Sequence, residues 1–168
     1  MKKLLVCLFA LCALTFTSCN PEPINYADDF VGEYAASISA AWVCASTAID
    51  GDLIDGLLCK IEKTYDNNVV LKMYQGNALV CAINGYCDQS GLYLKDFEFK
   101  YVYTQYTQDY GDSKMSFDLK LGGTKVNGNS NLSWTSAIVS GSASVMIENV
   151  TIDAGSVVGS TTFSLTKI

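Results

Sequence analysis

The sequence predicts an all-β fold: a single antiparallel up-and-down barrel of about eight strands, with a two-sheet β-sandwich as the alternative. Three observations carry this reading. Apolar and polar residues alternate along most of the chain, at the period of a strand with one buried face. Turn residues recur at short intervals, and links this short force neighbouring strands to be antiparallel. Hardly any segment shows a helical period. Sequential hairpins, with a last strand able to pair with the first, favour the barrel, which leaves no exposed edges. A sandwich would fit the same periodicity.

Taken in order, Val31 to Cys44 reads as a long first strand, with Tyr34, Ala36, Ile38, Ala40 and Trp42 on one face. Its alanines allow close approach of another sheet. Ala45 to Gly56 contains Asp50-Gly51 and Asp55-Gly56, which predict a loop with one helical turn around Leu53 and Ile54. Asp50, Asp52 and Asp55 read as an acidic turn: Gly51 and Ile54 break the ligand alternation of a calcium loop, and no glutamate closes it. Strands are expected over Leu57 to Tyr65, Val69 to Gln75 and Ala78 to Asn84, with turns at Asp66-Asn67-Asn68 and Gly76-Asn77.

Gly91 to Gln108 is expected as the longest and most aromatic strand, with Phe97, Phe99, Tyr101 and Tyr103 facing one way and Asp96, Glu98 and Lys100 the other. In Ser113 to Leu121, Met115, Phe117, Leu119 and Leu121 alternate with Ser116, Asp118 and Lys120. Gly122 to Asn131 is a polar loop. Leu132 to Val139, Ala143 to Ile152 and Thr161 to Ile168 complete the set, separated by Ser140-Gly141 and by Gly155 and Gly159.

The chain opens differently. Lys2 and Lys3 precede an uncharged apolar run, Leu4 to Thr17, which is the anatomy of a secretory signal. Fourteen residues make a helix of roughly 21 Å, too short for a hydrocarbon core of about 30 Å. Phe16-Thr17-Ser18-Cys19 occupies the place of a lipobox, and the segment resembles a bacterial lipoprotein leader of the Bacteroidota type. The resemblance implies cleavage before Cys19 and a thioether-linked diacylglycerol on its sulfur. Acyl chains, at about 0.8 kcal/mol per buried CH₂, would then anchor the chain to the outer membrane. Asn20 to Ala27 holds both prolines, Pro21 and Pro23, and reads as an extended tether. The expected organisation is therefore a signal peptide over 1–18, lipidated Cys19 and tether over 19–27, and one β-barrel domain over 28–168.

Composition narrows the function. Without the leader, 150 residues remain, enough for one core. The leader takes two lysines from eleven basic residues, so nine remain against seventeen acidic, and the net charge moves from −6 to −8. An acidic chain without arginine disfavours nucleic acid and lacks the basic patch that binds anionic lipid by charge. Cys7 and Cys12 leave with the leader and Cys19 carries lipid, so Cys44, Cys59, Cys81 and Cys87 remain as disulfide candidates. Nearest-neighbour pairing, Cys44 with Cys59 and Cys81 with Cys87, is the expectation. The alternative, a zinc site built from the four thiolates, lacks any Cys-x-x-Cys spacing.

The chain has no histidine, which excludes Ser–His–Asp, Cys–His and histidine–metal chemistry. No glycine-rich phosphate loop is present. Asp96 and Glu98 share a strand face with Lys100 and read as solvated, not as paired catalytic carboxylates. No enzymatic activity, metal or cofactor is expected.

Phe30-Val31-Gly32-Glu33-Tyr34, opening the first strand, is similar to the G-x-W motif of calycins, with Tyr34 in the tryptophan's place. Thr107-Gln108-Asp109-Tyr110 is similar to their T-D-Y corner, and the layout over 28–168 resembles the calycin-like and lipocalin-like domains of Bacteroidota lipoproteins. The resemblance implies a barrel with a ligand-carrying interior. Tyr34, Trp42, Phe97, Phe99, Tyr101, Phe117 and Trp134 are the candidates to line such a pocket; Tyr106 and Tyr110 are candidate surface aromatics. Two functions are expected from different classes. One is a non-enzymatic binding module for a small apolar ligand. The other is a structural or interaction lipoprotein that engages glycan, peptidoglycan or another envelope protein through its outer surface.

Overall fold

The computed structural model describes residues 24–107 and 111–168, without the side chains of 105–107 and 111–112. The leader, Cys19 and Tyr110 lie outside the described residues, as does the side chain of Tyr106.

The fold is all-β: one curled antiparallel sheet of nine strands forming a half-barrel. The strands are β1 (Gly32–Cys44), β2 (Thr47–Tyr65), β3 (Asn68–Gln75), β4 (Ala78–Asp88), β5 (Gly91–Leu94), β6 (Phe97–Thr107), β7 (Gly111–Leu121), β8 (Asn131–Ile147) and β9 (Val150–Lys167). Their order, β5-β4-β3-β2-β1-β9-β8-β7-β6, is an up-and-down meander in which the last strand pairs with the first. With every neighbour antiparallel, β5 and β6 run in the same direction. They are one aromatic strand broken at Lys95-Asp96, pairing first with β4 and then with β7.

Among the described residues, hydrogen bonds complete the ring at one end only. There β5 also bonds the segment after β7, through Leu94 N–H to Thr124 O at 2.8 Å and Val126 N–H to Leu92 O at 2.9 Å. Asn127 then bridges to Ser133 on β8. Gly123 permits the crossing, because a Cβ there would overlap the Leu94 carbonyl oxygen. A short 3-10 turn, Tyr26–Asp29, packs at this closed end. Asn67 holds it by accepting from Ala27 N–H and donating to Ile24 O, and Ala27 and Phe30 are buried. The docked chain thus begins by Ile24, inside the segment expected as tether.

The inner face follows the alternation. Tyr34, Ile38, Leu71, Ile83, Phe99, Trp134 and Phe163 are all buried in one core, with the small Ala36 and Ala40 making room for the aromatics. Phe163 is the hub: it stacks on Trp134 at 4.8 Å and meets Phe97 and Phe99 edge-on at 5.7 and 6.2 Å.

Three expectations are corrected. The loop over Ala45 to Gly56 is mostly strand: a two-residue turn, Ala45-Ser46, with both φ positive (46° and 70°), leads directly into β2. Ala45 is an unusual residue for a turn that normally takes Asn-Gly, so the hairpin carries no local signal. The aspartates and glycines of 50–56 mark bulges, with Leu53 skipped between the pairs Ser39–Asp52 and Ile38–Ile54. Next, Leu132–Val139 and Ala143–Ile152 are not separate strands. β8 runs through Ser140-Gly141 as an irregularity, and the hairpin falls at Glu148-Asn149 (φ 48° and 70°), so β9 contains both Gly155 and Gly159.

The third correction concerns the cysteines: Cys44, Cys59, Cys81 and Cys87 are buried free thiols. Cys59 pairs in register with Tyr34, ten residues along β1 from Cys44, about 33 Å of strand. Cys81 and Cys87 lie six residues apart on β4, about 20 Å. A disulfide needs Cα atoms within about 7 Å. Cys59 and Cys81 flank Met73 on opposite sides, two strand spacings or about 10 Å apart, which is also too far.

Candidate functional site

The sequence makes the strands unequal, and that inequality opens the barrel. β3 pairs with β2 only from Leu58 to Tyr65, because the β3–β4 hairpin turns at Gly76-Asn77. Among the described residues, the segment Thr47–Leu57 of β2 therefore has no strand partner on that side, and it faces the edge of β6 across a slot. One side chain spans the slot. The Tyr101 hydroxyl donates to Leu53 O at 3.3 Å, and Leu53 is the bulged residue that the β1–β2 ladder skips. Burial raises the Tyr101 phenol above its ordinary value, with Tyr103 adding to the effect, so the donor stays protonated across the physiological range.

Above this bridge lies a cavity of about 360 Å³ at the open end. Ile49 and Leu53 line it from β2, Tyr101 and Tyr103 from β6, Met115 and Phe117 from β7, and Val145 from β8. Trp42 does not line the cavity but is buried behind its wall, 5.1 Å from Phe117 and 6.2 Å from Tyr101 between ring centres. Asp50, Gly51, Asp52 and Ser113 complete the lining. Tyr103 points to the same side as Phe99, yet is 49% exposed where Phe99 is 0%. Beyond the rim, Ile152 pairs with Val145 and Val150 with Ile147, and both β9 residues are more than half exposed. The apolar inner face thus continues past the point where core packing stops.

Of the expected pocket residues, Tyr101 and Phe117 line the cavity, and Trp42 is core that backs them. Tyr34, Phe97, Phe99 and Trp134 are core at the closed end. Tyr34 donates to Phe30 O at 2.6 Å there, and burial, with the nearby Cys59, pushes its phenol up. Sequence reasoning missed Ile49 and Leu53, hidden in a segment that reads as loop. Tyr103 and Met115 were legible by parity with Tyr101 and Phe117. On the outer surface, Asp96 accepts from Gly123 N–H at 2.8 Å, and Lys100 pairs with Asp118 at 2.9 Å. Asp50, Asp52 and Asp55 do not converge, and among the described residues no three metal-ligating side chains do.

Fold and site together define a class: a curled β half-barrel with an apolar cavity at its open end. The chain matches no family model, no curated protein and no solved structure.

Proposed function

We propose that this protein is a cell-envelope lipoprotein, held to the outer membrane by lipid on Cys19, whose domain binds a small apolar molecule without chemical turnover. The observation that carries the reading is the open end itself. Inward-facing Tyr103, Met115 and Val145 line about 360 Å³ of space where the same strands are fully packed further down. Apolar cavities of this order with a few polar groups at the rim are the usual form of small-ligand sites. The absence of histidine speaks against the commonest catalytic constellations.

The anchor rests on the leader and its cysteine. Four residues separate Cys19 from Ile24, a span of at most about 18 Å. Because the docked chain begins at the closed end, lipid on Cys19 would set that end toward the bilayer and the open end away from it.

Native mass spectrometry of protein purified from its own membranes tests the binding reading. A co-purifying apolar molecule, displaced by N-phenyl-1-naphthylamine, is expected. If nothing co-purifies and the naphthylamine does not bind saturably, the reading is wrong. Cys19→Ala should release the protein from membranes and abolish lipid labelling.

A second reading, recognition of glycan, peptidoglycan or another envelope protein through the outer surface, is favoured by one feature. Tyr86 and Tyr93 stack face to face on the outside, 5.1 Å apart at 11°, with the Lys125 ammonium 5.5 Å from the Tyr93 ring. Exposed aromatic faces are platforms for sugars and protein partners.

A further inference from the structure

The cavity at the open end is apolar in its walls and one-signed in its charge. Among the described residues, the charged ones that border it are Asp50 and Asp52, on the edge of β2. No lysine lines it, and the chain has no arginine. In register, Asp50 lies opposite Ala41 and Asp52 opposite Ser39, out of phase with the inward Ile49 opposite Trp42. Their carboxylates therefore stand on the outer side of the strand and leave the cavity's space to apolar groups. One strand step is about 3.4 Å, well inside the screening length of about 8 Å at physiological salt, so their charge still acts across the mouth.

The rest of the rim has the same sign. Glu148 sits in the turn of the β8–β9 hairpin, and Asp153 follows Ile152 on β9. None of these four carboxylates joins an ion pair among the described residues, whereas Glu33, Glu62, Asp96 and Asp118 each hold a lysine elsewhere on the barrel. Lys114 stands between Ser113 and Met115, which line the cavity, and so points to the outer face of β7. A cleft with low-dielectric walls and one sign of charge concentrates its field and gathers counter-ions. Inside the mouth, Tyr101 and Tyr103 supply aromatic rings, and Tyr103 is half exposed. The face of such a ring attracts a cation, and quaternary ammonium groups are bound in this way.

We propose that the ligand of this cavity is a hydrophobic cation, an apolar chain or ring system that carries an ammonium group, and that fatty acids and other anionic amphiphiles are rejected. The inference rests on the open-end cavity being a ligand site and adds the charge of the ligand. The apolar body lies against Leu53, Met115, Phe117 and Val145. The ammonium stays at the mouth, over the Tyr103 ring and beside the edge that carries Asp50 and Asp52. An anionic head group there would meet carboxylates with no lysine to offset them.

The probes are decyltrimethylammonium, decanol and decanoate, which share one chain and differ in head group. Each is added below its micelle concentration to protein loaded with N-phenyl-1-naphthylamine. Decyltrimethylammonium should displace the naphthylamine at a concentration about tenfold lower than decanoate, and decanol should show that the chain is accepted without charge. Raising the ionic strength from about 0.01 M to about 1 M shortens the screening length from about 30 Å to about 3 Å, and should bring the cation-to-anion ratio close to one. Asp50→Asn with Asp52→Asn should lower that ratio at least threefold at low salt, and the salt series serves if the double variant fails to fold. Tyr103→Leu keeps the wall apolar and removes the ring, and should lower the ratio of decyltrimethylammonium to decanol affinity. Equal displacement by cation and anion, or a ratio indifferent to salt and to the aspartate changes, would overturn the proposal and leave the cavity as a binding site. Failure of the naphthylamine to bind, or of all three decyl compounds to displace it, would overturn both.

Discussion

Trp42 donates its indole N–H to the Thr161 hydroxyl at 3.0 Å in the buried interior, joining residues 119 apart in the chain. The bond spans the ladder between β1 and β9, the pairing that joins the first strand to the last. Its neighbourhood is asymmetric. Ser136 lies opposite Thr161 across β8 and β9, equally buried, and its hydroxyl has no hydrogen-bond partner among the described residues.

That asymmetry gives two opposite expectations. Thr161→Val keeps the shape but strands the indole N–H, and should cost about 1–3 kcal/mol. Ser136→Ala removes a buried hydroxyl that no protein group satisfies, and should be neutral or stabilising by up to about 1 kcal/mol. Urea unfolding of both variants, with equal m-values, checks the pair.

The closure of the first strand on the last also depends on Gly159. It pairs with Trp42 at φ 129°, and a Cβ there would overlap the Ala41 carbonyl oxygen and crowd the Trp42 backbone. Gly159→Ala should therefore cost about 3 kcal/mol, the upper end of ordinary single substitutions. Gly155→Ala meets nothing within 4 Å. At φ 98° it still bears backbone strain, of order 1–3 kcal/mol, without the overlap. Thermal melts should rank the two variants in that order.

The open end and the closed end should separate binding from stability. Met115→Trp projects a larger ring into the cavity from a partly exposed position, so it should abolish naphthylamine binding and leave the melting temperature nearly unchanged. Phe99→Leu removes part of the closed core, and should cost about 1–3 kcal/mol while leaving probe affinity within a few-fold. Loss of binding in Phe99→Leu alone would place the site elsewhere.

The free thiols make stability depend on alkali. Burial pushes Cys59 and Cys81 up to about 12, with Cys81 adding to the shift of Cys59, and pushes Cys87 up to about 11, helped by Asp88 and Asp29. In the unfolded chain these thiols ionise near their ordinary value of about 8.5. Their folded values are raised, so the stability they contribute is fully present below about pH 8.5 and declines as pH rises toward 12. The urea midpoint should fall between pH 8 and 10.5, and fall less when Cys59, Cys81 and Cys87 are all alanine. At pH 8 the native thiols should ignore Ellman's reagent and react once urea unfolds the chain.

Most strands were legible because a half-buried strand writes its period into the sequence. Tyr34 through Trp42 and Met115 through Leu121 fall on the inner face where alternation puts them. Turns were legible where Asn or Gly carries a positive φ, as at Gly76-Asn77. They were not at Ala45-Ser46, where neither residue favours a positive φ, nor at Glu148-Asn149, where Glu148 opposes it and the single Asn149 was no clear signal. The candidate site was half legible. Tyr101 and Phe117 announced an aromatic inner face, but nothing local told which aromatics would be covered.

The sequence by itself determined the class of the fold: an acidic chain without histidine whose alternating strands and short links make an antiparallel meander. Periodicity, charge and residue chemistry are local properties, and they survive without neighbours. Tertiary structure alone decided that, among the described residues, the ring closes at one end and stays split at the other, that Cys44, Cys59, Cys81 and Cys87 remain thiols, and that Leu53 offers its carbonyl to Tyr101. Those outcomes depend on strand lengths and register, which are set jointly by both partners of every ladder and so by no single stretch of chain.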